Sequence, residues 1–310
     1  MNDFFKIVSF YNFTNINDNS ITKLRQNLQI YESDDFSGLI ILAKEGINGT
    51  ICGKGKIVKE VLELIKNFIN QNDINEKISY SRNQIFKKLK IKIKDEIVTM
   101  GIGDIDPSTN SGTYVDPITW NELIKDKDTL IIDTRNYYEV SLGSFKNAIN
   151  PMTNNFREFP LWIEQNIEKY THNKINKKIA MFCTGGIRCE KATSLLTKKG
   201  YNHVYHLKGG ILKYFEQMPK EENFYNGECY VFDGRVAVTN QLEKGSYSIC
   251  YACGMPLSVE DKKKNTFIKG VQCHLCINKF SDNDRRRFTE RQKQIDDKDL
   301  NEASSQKQAK

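Results

Sequence analysis

The sequence predicts a chain of mixed α/β and α+β class in three blocks: an N-terminal α+β sandwich, a central α/β block on a parallel sheet, and a small cysteine-rich C-terminal block. Three observations predict it. Residues 1–100 run strand, helix, strand, strand, helix, strand in their apolar spacing. Residues 118–218 alternate short apolar strands with helices, the pattern of a parallel sheet covered on both faces. Residues 219–290 carry two C-x2-C pairs.

In the first block Phe4 to Phe13 reads as a strand, and Ile21 to Ile30 as a helix with Ser20 as N-cap. Gly38 to Lys44 and Ile47 to Cys52 read as two strands about a turn near Gly46. Val58 to Ile69 has helical apolar spacing. Lys88 to Lys94 alternates strictly, with Leu89, Ile91 and Ile93 on one side and lysines on the other. The order is β-α-β-β-α-β, a sandwich of the ferredoxin-like, or acylphosphatase-like, kind.

A turn-rich stretch with Gly101, Gly103, Pro107, Gly112 and Pro117 reads as a linker over 101–117. In the central block Leu130 to Asp133, Ile179 to Phe182 and Val204 to Leu207 are the buried strands. Helices are predicted over Trp120 to Lys125, Pro160 to Tyr170, Cys189 to Lys199 and Ile211 to Gln217. A charged helix begins at Asp282, and 291–310 reads as a flexible tail.

Composition places the 310 residues among soluble globular chains, with 39% hydrophobic and 27% charged residues. The longest aliphatic run, Leu39 to Ala43, is too short for a bilayer, and no secretory signal follows the N-terminus. The cytoplasm is the expected compartment, with no membrane partner. There, eight cysteines point to metal or thiol chemistry rather than disulfides. The net charge of +7 permits a polyanionic partner. Basic residues concentrate at Arg82, Lys87, Lys88, Lys90, Lys92 and Lys94, and again at Arg285 to Arg287. Both clusters suit nucleic acid, and both also suit a plain role: lysines protect an edge strand, and arginines solvate a helix face.

The segment IAMFCTGGIRCEKATSLLTKKGY, Ile179 to Tyr201, carries the chemistry. A buried strand ends at Phe182, then come Cys183, Thr184, Gly185, Gly186, Ile187 and Arg188, and a helix starts near Cys189. Glycines let such a loop curl until several N–H groups face one point, and the helix N-terminus adds positive potential. A thiolate or persulfide at Cys183 would sit in that cradle without any histidine. Four residues separate Cys183 from Arg188, which fits one sulfur. Cysteine phosphatases use a loop one residue longer for the wider phosphoryl group. The chemistry requires a sulfur open to solvent and amides that face it. Cys189 is either a resolving thiol for Cys183 or a small residue packing the first helical turn. Cys52 and Cys229 lack partners at metal spacing and read as core residues.

Cys250, Cys253, Cys273 and Cys276 have zinc-ribbon spacing, with nineteen residues between the pairs. Each pair points two sulfurs at one place, so together they predict a structural zinc in an S4 shell. His274, between two of them, reads as an outer or exposed residue.

CTGGIRCEKA resembles the active loop of the rhodanese family. TLIIDTRNYYEVSLGSFKNAINP, Thr129 to Pro151, is similar to the rhodanese segment that bears an early Asp and Arg, here Asp133 and Arg135. Ser144-Phe145 stands where many rhodaneses have His-Ile. LKGGILKYFE, Leu207 to Glu216, resembles the family's closing Gly-Gly turn and last helix. FYNFTNI, AKEGINGTICG, FKKLKIKIKDEIVTMG, GECYVFDGRVAV and the cysteine pairs extend the resemblance over about residues 4–290, to the rhodanese-domain tRNA uridine hydroxylases. That resemblance implies oxygen-dependent formation of 5-hydroxyuridine at the wobble position, with molecular oxygen as co-substrate and the tRNA anticodon loop as partner. It implies Cys183 as the catalytic cysteine, passing through a persulfide. Asp133 and Arg135 either touch substrate or orient the loop through hydrogen bonds. The residues by themselves suit plain sulfur transfer equally well, and a sulfide sensor less well. No flavin, haem or 2-His-1-carboxylate pattern is visible, so the sequence assigns no oxygen-activating group.

Overall fold

The computed structural model describes residues 4–70, 74–172 and 174–308. They form two compact units. The first runs to Gly234 and includes Thr239–Glu243; the second holds Arg235–Val238 and the chain from Lys244 on.

The first unit opens with β1 (Phe5–Phe13), α1 (Asp18–Gln29), β2 (Phe36–Ala43), β3 (Gly46–Gly53), α2 (Gly55–Ile69) and β4 (Asn75–Ser81), followed by β5 (Leu89–Ile93). The sheet order is β4-β1-β3-β2-β5. The βαββαβ architecture is as the sequence predicts, but its closing strand is β4. The polar segment NEKISYS hides it, and the lysine-rich strand is an extra edge strand parallel to β2. Lys90 and Lys92 are exposed there. Helix α1 is capped by Asn17, whose side chain accepts from the Ser20 N–H at 2.9 Å, so Ser20 is a first-turn residue and not the cap.

Helix α2 buries Val58, Val61, Leu62, Ile65 and Ile69 along one stripe. With α1 it covers one sheet face, where Val8 and Phe10 of β1 join Ile40 and Ile51 in the core. Strand alternation sends the odd residues of β1, Ser9 and Tyr11, to the opposite face. The β1–β4 register pairs Ser9 with Lys77 and Tyr11 with Asn75, so Lys77 shares that face. It is the face that meets the central block.

That block contains β6 (Thr113–Val115), α3 (Pro117–Lys125), β7 (Leu130–Asp133), α4 (Tyr137–Val140), β8 (Gly143–Phe145), α5 (Phe159–Thr171), β9 (Ile179–Phe182), α6 (Ile187–Lys198), β10 (Val204–Leu207) and α7 (Gly210–Gln217). The sheet order is β6-β10-β9-β7, and every pairing is parallel. Parallel neighbours need crossovers, which α3, α5 and α6 supply. β6 lies inside the stretch read as linker. β11 (Tyr225–Gly227) pairs antiparallel with β8, and β12 (Cys229–Tyr230) follows. Trp120 of α3 meets Phe145 and Phe182 edge-on at ring distances of 5.5 and 5.7 Å, filling the core beneath the end of β9.

A charged knot joins the sandwich to the central block. The Lys191 ammonium of α6, 2% exposed, lies 2.7 Å from Glu45 and 2.5 Å from Glu96. Glu45 also accepts from the Ile97 N–H, and Glu96 from the N–H groups of Met100 and Gly101. Burial would raise the Glu96 carboxyl, but Lys191 and those two amides hold it below the usual range.

The second unit holds β13 (Ala237–Val238), a hairpin of β14 (Ser248–Ile249) and β15 (Pro256–Leu257), α8 (Val259–Lys263) and α9 (Asp282–Gln308). Helix α9 takes in residues 291–308, read from sequence as a tail; 309–310 lie outside the described residues.

Removing one partner of a buried ion pair leaves the other charge uncompensated. Lys191→Met is therefore expected to destabilise the protein by about 3 kcal/mol, read from urea unfolding. A loss below about 1 kcal/mol would show that the knot contributes little.

Candidate active site

Strand β9 ends at Phe182, and Cys183 begins the turn into α6. The loop is held from several sides. The Thr134 N–H donates to the Phe182 carbonyl, and the Ile211 and Leu212 N–H groups at the start of α7 donate to the carbonyls of Cys183 and Thr184. Gly210 allows that approach: a Cβ there would stand 2.4 Å from the Cys183 carbonyl oxygen. Gly186 has φ +104°, a conformation open to glycine, and a Cβ on it would meet the Tyr11 hydroxyl at 2.8 Å.

Inside this loop the Gly186 N–H donates to Cys183 Sγ at 3.0 Å. Burial alone would push the Cys183 thiol up. The Cys189 thiol, the Arg188 charge and the N–H groups of Gly186 and Arg188 overcome it and hold the thiol well below its usual value. Cys189 moves the other way, raised by burial and by its thiolate neighbour, so it stays a protonated donor. All eight cysteines are free. The expectation that amides face the sulfur is met by this geometry. The expectation of an open sulfur is not: Cys183 is 0% exposed. The physical reason is the sandwich. Tyr11 and Lys77 lie against the outer side of the loop, where the Lys77 ammonium donates to the Gly185 carbonyl at 2.7 Å and to the Gly209 carbonyl.

The Arg188 side chain is tied to α4. Its guanidinium grips Glu139 of α4 with two bonds, of 2.6 and 2.7 Å, and this carboxylate raises the guanidinium pKa further against burial. Thr184 donates to Glu139 and to the Tyr230 carbonyl at 3.4 Å each. Phe232, 60% exposed, lies beside this group with its ring 5.9 Å from the Arg188 guanidinium. Asp133 and Arg135 are elsewhere. Arg135 binds both Asp133 oxygens at 2.9 and 2.7 Å, and also the Gly143 carbonyl and Tyr225. Ser144 donates to Asp133 at 2.8 Å. This buried pair ties β7 to β8 and β11, and its hydrogen bonds among the described residues run there and not to the sulfur loop.

Glu139, Glu190, Tyr11 and Lys77 were not singled out in the sequence. Burial raises the Glu190 carboxyl to about 7, against the hydroxyls of Tyr11 and Tyr114. The Tyr11 hydroxyl donates to it at 2.6 Å. Glu190 had a signal, lying within CTGGIRCEKA. Tyr11 had one too, lying within FYNFTNI, but nothing there ties it to the loop; Lys77 had none, because only the tertiary fold brings it there.

In the second unit the sulfurs of Cys250, Cys253, Cys273 and Cys276 all lie within 4.8 Å of one another. Cys253–Cys273 and Cys273–Cys276 are 3.8 and 3.7 Å apart. Tetrahedral bonds of ~2.3 Å place sulfurs ~3.8 Å apart, so the four fit a zinc-sized ion. His274 stays outside the group, 3.6 Å from Asp261. Of the arginine cluster, Arg286 and Arg287 are exposed, while Arg285 donates to the Ile277 carbonyl. Among the described residues no helix is long and apolar enough to cross a membrane.

Two family models match parts of this chain. Residues 5–97 match the UPF0176 acylphosphatase-like domain and residues 118–217 the rhodanese-like domain. A rhodanese-related protein from Thermoplasma volcanium is 26% identical, covering 34% of this chain and 95% of its own, with a TM-score of 0.26. A tRNA uridine(34) hydroxylase of Prochlorococcus marinus subsp. pastoris is 60% identical over 295 residues, covering 95% of each chain. The protein of that name from Prochlorococcus marinus strain MIT 9515 is 61% identical over 292 residues, 94% of each. At this identity and coverage, the chain belongs to the tRNA uridine(34) hydroxylase family.

Proposed function

We infer that this chain hydroxylates the wobble uridine of tRNA to 5-hydroxyuridine, with molecular oxygen as co-substrate and Cys183 as the reacting sulfur. The observation that carries the assignment of Cys183 is the Gly186 N–H aimed at its sulfur from 3.0 Å. A buried cysteine is ordinarily an inert neutral thiol. This one accepts that N–H, and against burial the Cys189 thiol, the Arg188 charge and the loop amides hold its thiol well below the usual value. Such a sulfur attacks an electrophilic carbon or carries a second sulfur as persulfide, and the loop residues Thr184 to Arg188 provide its cradle. Arg188 supplies positive potential while Glu139 holds it in place. Cys189, its thiol pushed up by burial and by Cys183, lends that sulfur a hydrogen bond; as a thiolate it would attack a Cys183 persulfide at the inner sulfur, forming the Cys183–Cys189 disulfide and releasing hydrosulfide.

The enclosed sulfur gives the reaction a condition. The target base reaches Cys183 only after the cover over the loop rearranges, with Lys77 still on the Gly185 carbonyl. The anticodon loop of tRNA, in the cytoplasm, is the partner this reading requires. The lysines of β5 and the exposed Arg286 and Arg287 are candidate phosphate contacts. The four cysteines of the second unit hold a structural zinc, whose role when bound is to fold that unit around Leu257, Phe267 and Phe280. Plain sulfur transfer is the competing reading, because the same cradle suits a persulfide.

Nucleoside mass spectrometry of tRNA tests the main reading. Cells lacking the protein are expected to lose 5-hydroxyuridine derivatives, and Cys183→Ala is expected not to restore them. Full activity of Cys183→Ala would remove the sulfur from the mechanism, and loss of 2-thiouridine instead would favour sulfur transfer. Metal analysis of the native protein is expected to find about one zinc per chain. Less than about a tenth of that would end the zinc assignment.

A further inference from the structure

The Cys183 cradle contains a peptide group fixed at both ends. The Gly185 carbonyl and the Gly186 N–H belong to one planar unit and point in opposite directions. The N–H is aimed inward at Cys183 Sγ, 3.0 Å away, and the carbonyl is aimed outward at the Lys77 ammonium, 2.7 Å away. Both glycines lack a Cβ, so the unit has little steric resistance to flipping. A flipped peptide would turn its carbonyl dipole on the thiolate. The same ammonium also binds the Gly209 carbonyl, next to the Gly210 turn that supports the loop.

We propose that Lys77, contributed by the N-terminal sandwich, is a positioning residue: by holding the Gly185 carbonyl outward it keeps the Gly186 N–H on the Cys183 sulfur. The sulfur cradle is thus shared between two domains, and the rhodanese block does not complete it alone. This rests on the reading of Cys183 as the reacting sulfur. The placement of Lys77 supports it. The side chain sits on the sheet face opposite the α1–α2 core and is half-buried, and it spends its ammonium on two backbone carbonyls of the central block. Burial draws that ammonium down to about 8 against the pull of the thiolate, so it stays a donor in either protonation state. The other charged or titratable groups that act on Cys183 or Lys77 are Cys189, Arg188, Glu190, Tyr11, Lys213, Glu216 and Cys229.

The test uses the full-length protein. Alkylation of Cys183 by iodoacetamide is followed across pH by peptide mass spectrometry. The Gly186 amide is followed by NMR in the same pH series. In the native protein the amide shift is expected to track the titration of Cys183. In Lys77→Met the alkylation midpoint is expected to rise by about one pH unit, a roughly tenfold loss of thiolate on the rising limb, and the Gly186 amide to stop following the sulfur. Lys77→Arg is expected to recover at least half of the shift. With tRNA, Lys77→Met is expected to lower kcat while KM changes by less than about twofold. A melting curve screens each variant, and Lys77→Gln carries the same test if Lys77→Met does not fold. An unmoved midpoint in a folded variant overturns the proposal. So does a raised midpoint with a Gly186 amide that still follows the sulfur, because the lysine would then act by charge alone. The alkylation and amide readouts do not use tRNA, so they can fail while the hydroxylase reading stands.

Discussion

A thiolate stays charged inside a protein only if fixed dipoles and charges replace the water it gives up. Cys183 has no exposed surface, and the pieces that replace water come from three directions. The Gly186 N–H and the Arg188 N–H come from the loop itself, the Cys189 thiol from the first turn of α6, and positive charge from Arg188. Each would fail without a neighbour. Arg188 would otherwise be a buried cation without a partner, so Glu139 binds it at two points. Glu139 in turn accepts from the Asn136 N–H at 3.1 Å, which ties it to the start of α4. The loop carbonyls would compete with the amides, and α7 takes two of them. The architecture of the central block follows from holding one negative sulfur.

The same requirement explains why some of the site was legible in the sequence and some was not. Cys183, the two glycines and Arg188 are contiguous, and their roles follow from backbone geometry within six positions. The strands around them are short apolar runs, which read with the same ends in sequence and structure at Leu130–Asp133, Ile179–Phe182 and Val204–Leu207. Strand β4 was illegible because NEKISYS has almost no apolar alternation. It is held by its register with β1 and not by its own burial. Losing β4 meant losing Lys77. Asp133 and Arg135 were legible as a pair but not by place: two residues apart on a strand end, they serve each other and Tyr225.

Closure of the sulfur also had no local signal. Nothing in CTGGIR says that a tyrosine and a lysine more than a hundred residues away will lie on its outer side. The signal is in the sandwich, whose sheet has one face covered by α1 and α2 and a second that carries Tyr11 and Lys77. A two-layer sandwich normally leaves that second face to solvent. Here Tyr11 is buried and its hydroxyl donates to Glu190. A polar, chemically specific second face is a sign that another domain packs there.

The two domains could have been joined by apolar contact alone, which is cheaper to bury and indifferent to small shifts. They are joined by ions and hydrogen bonds on both sides of the reactive loop. Lys77 and Tyr11 lie at its outer side, and Lys191 lies between Glu45 and Glu96 along α6. Such groups gain little net stability over a hydrophobic isostere, because desolvation consumes most of the attraction. What they add is geometry. An ammonium shared by two carboxylates, with each carboxylate also held by backbone N–H groups, has one good position, and a sliding interface would lose several bonds at once. A peptide aimed at a sulfur by a lysine of the other domain needs that accuracy. The fit between the domains is therefore strict where it matters, at the peptide that faces the sulfur.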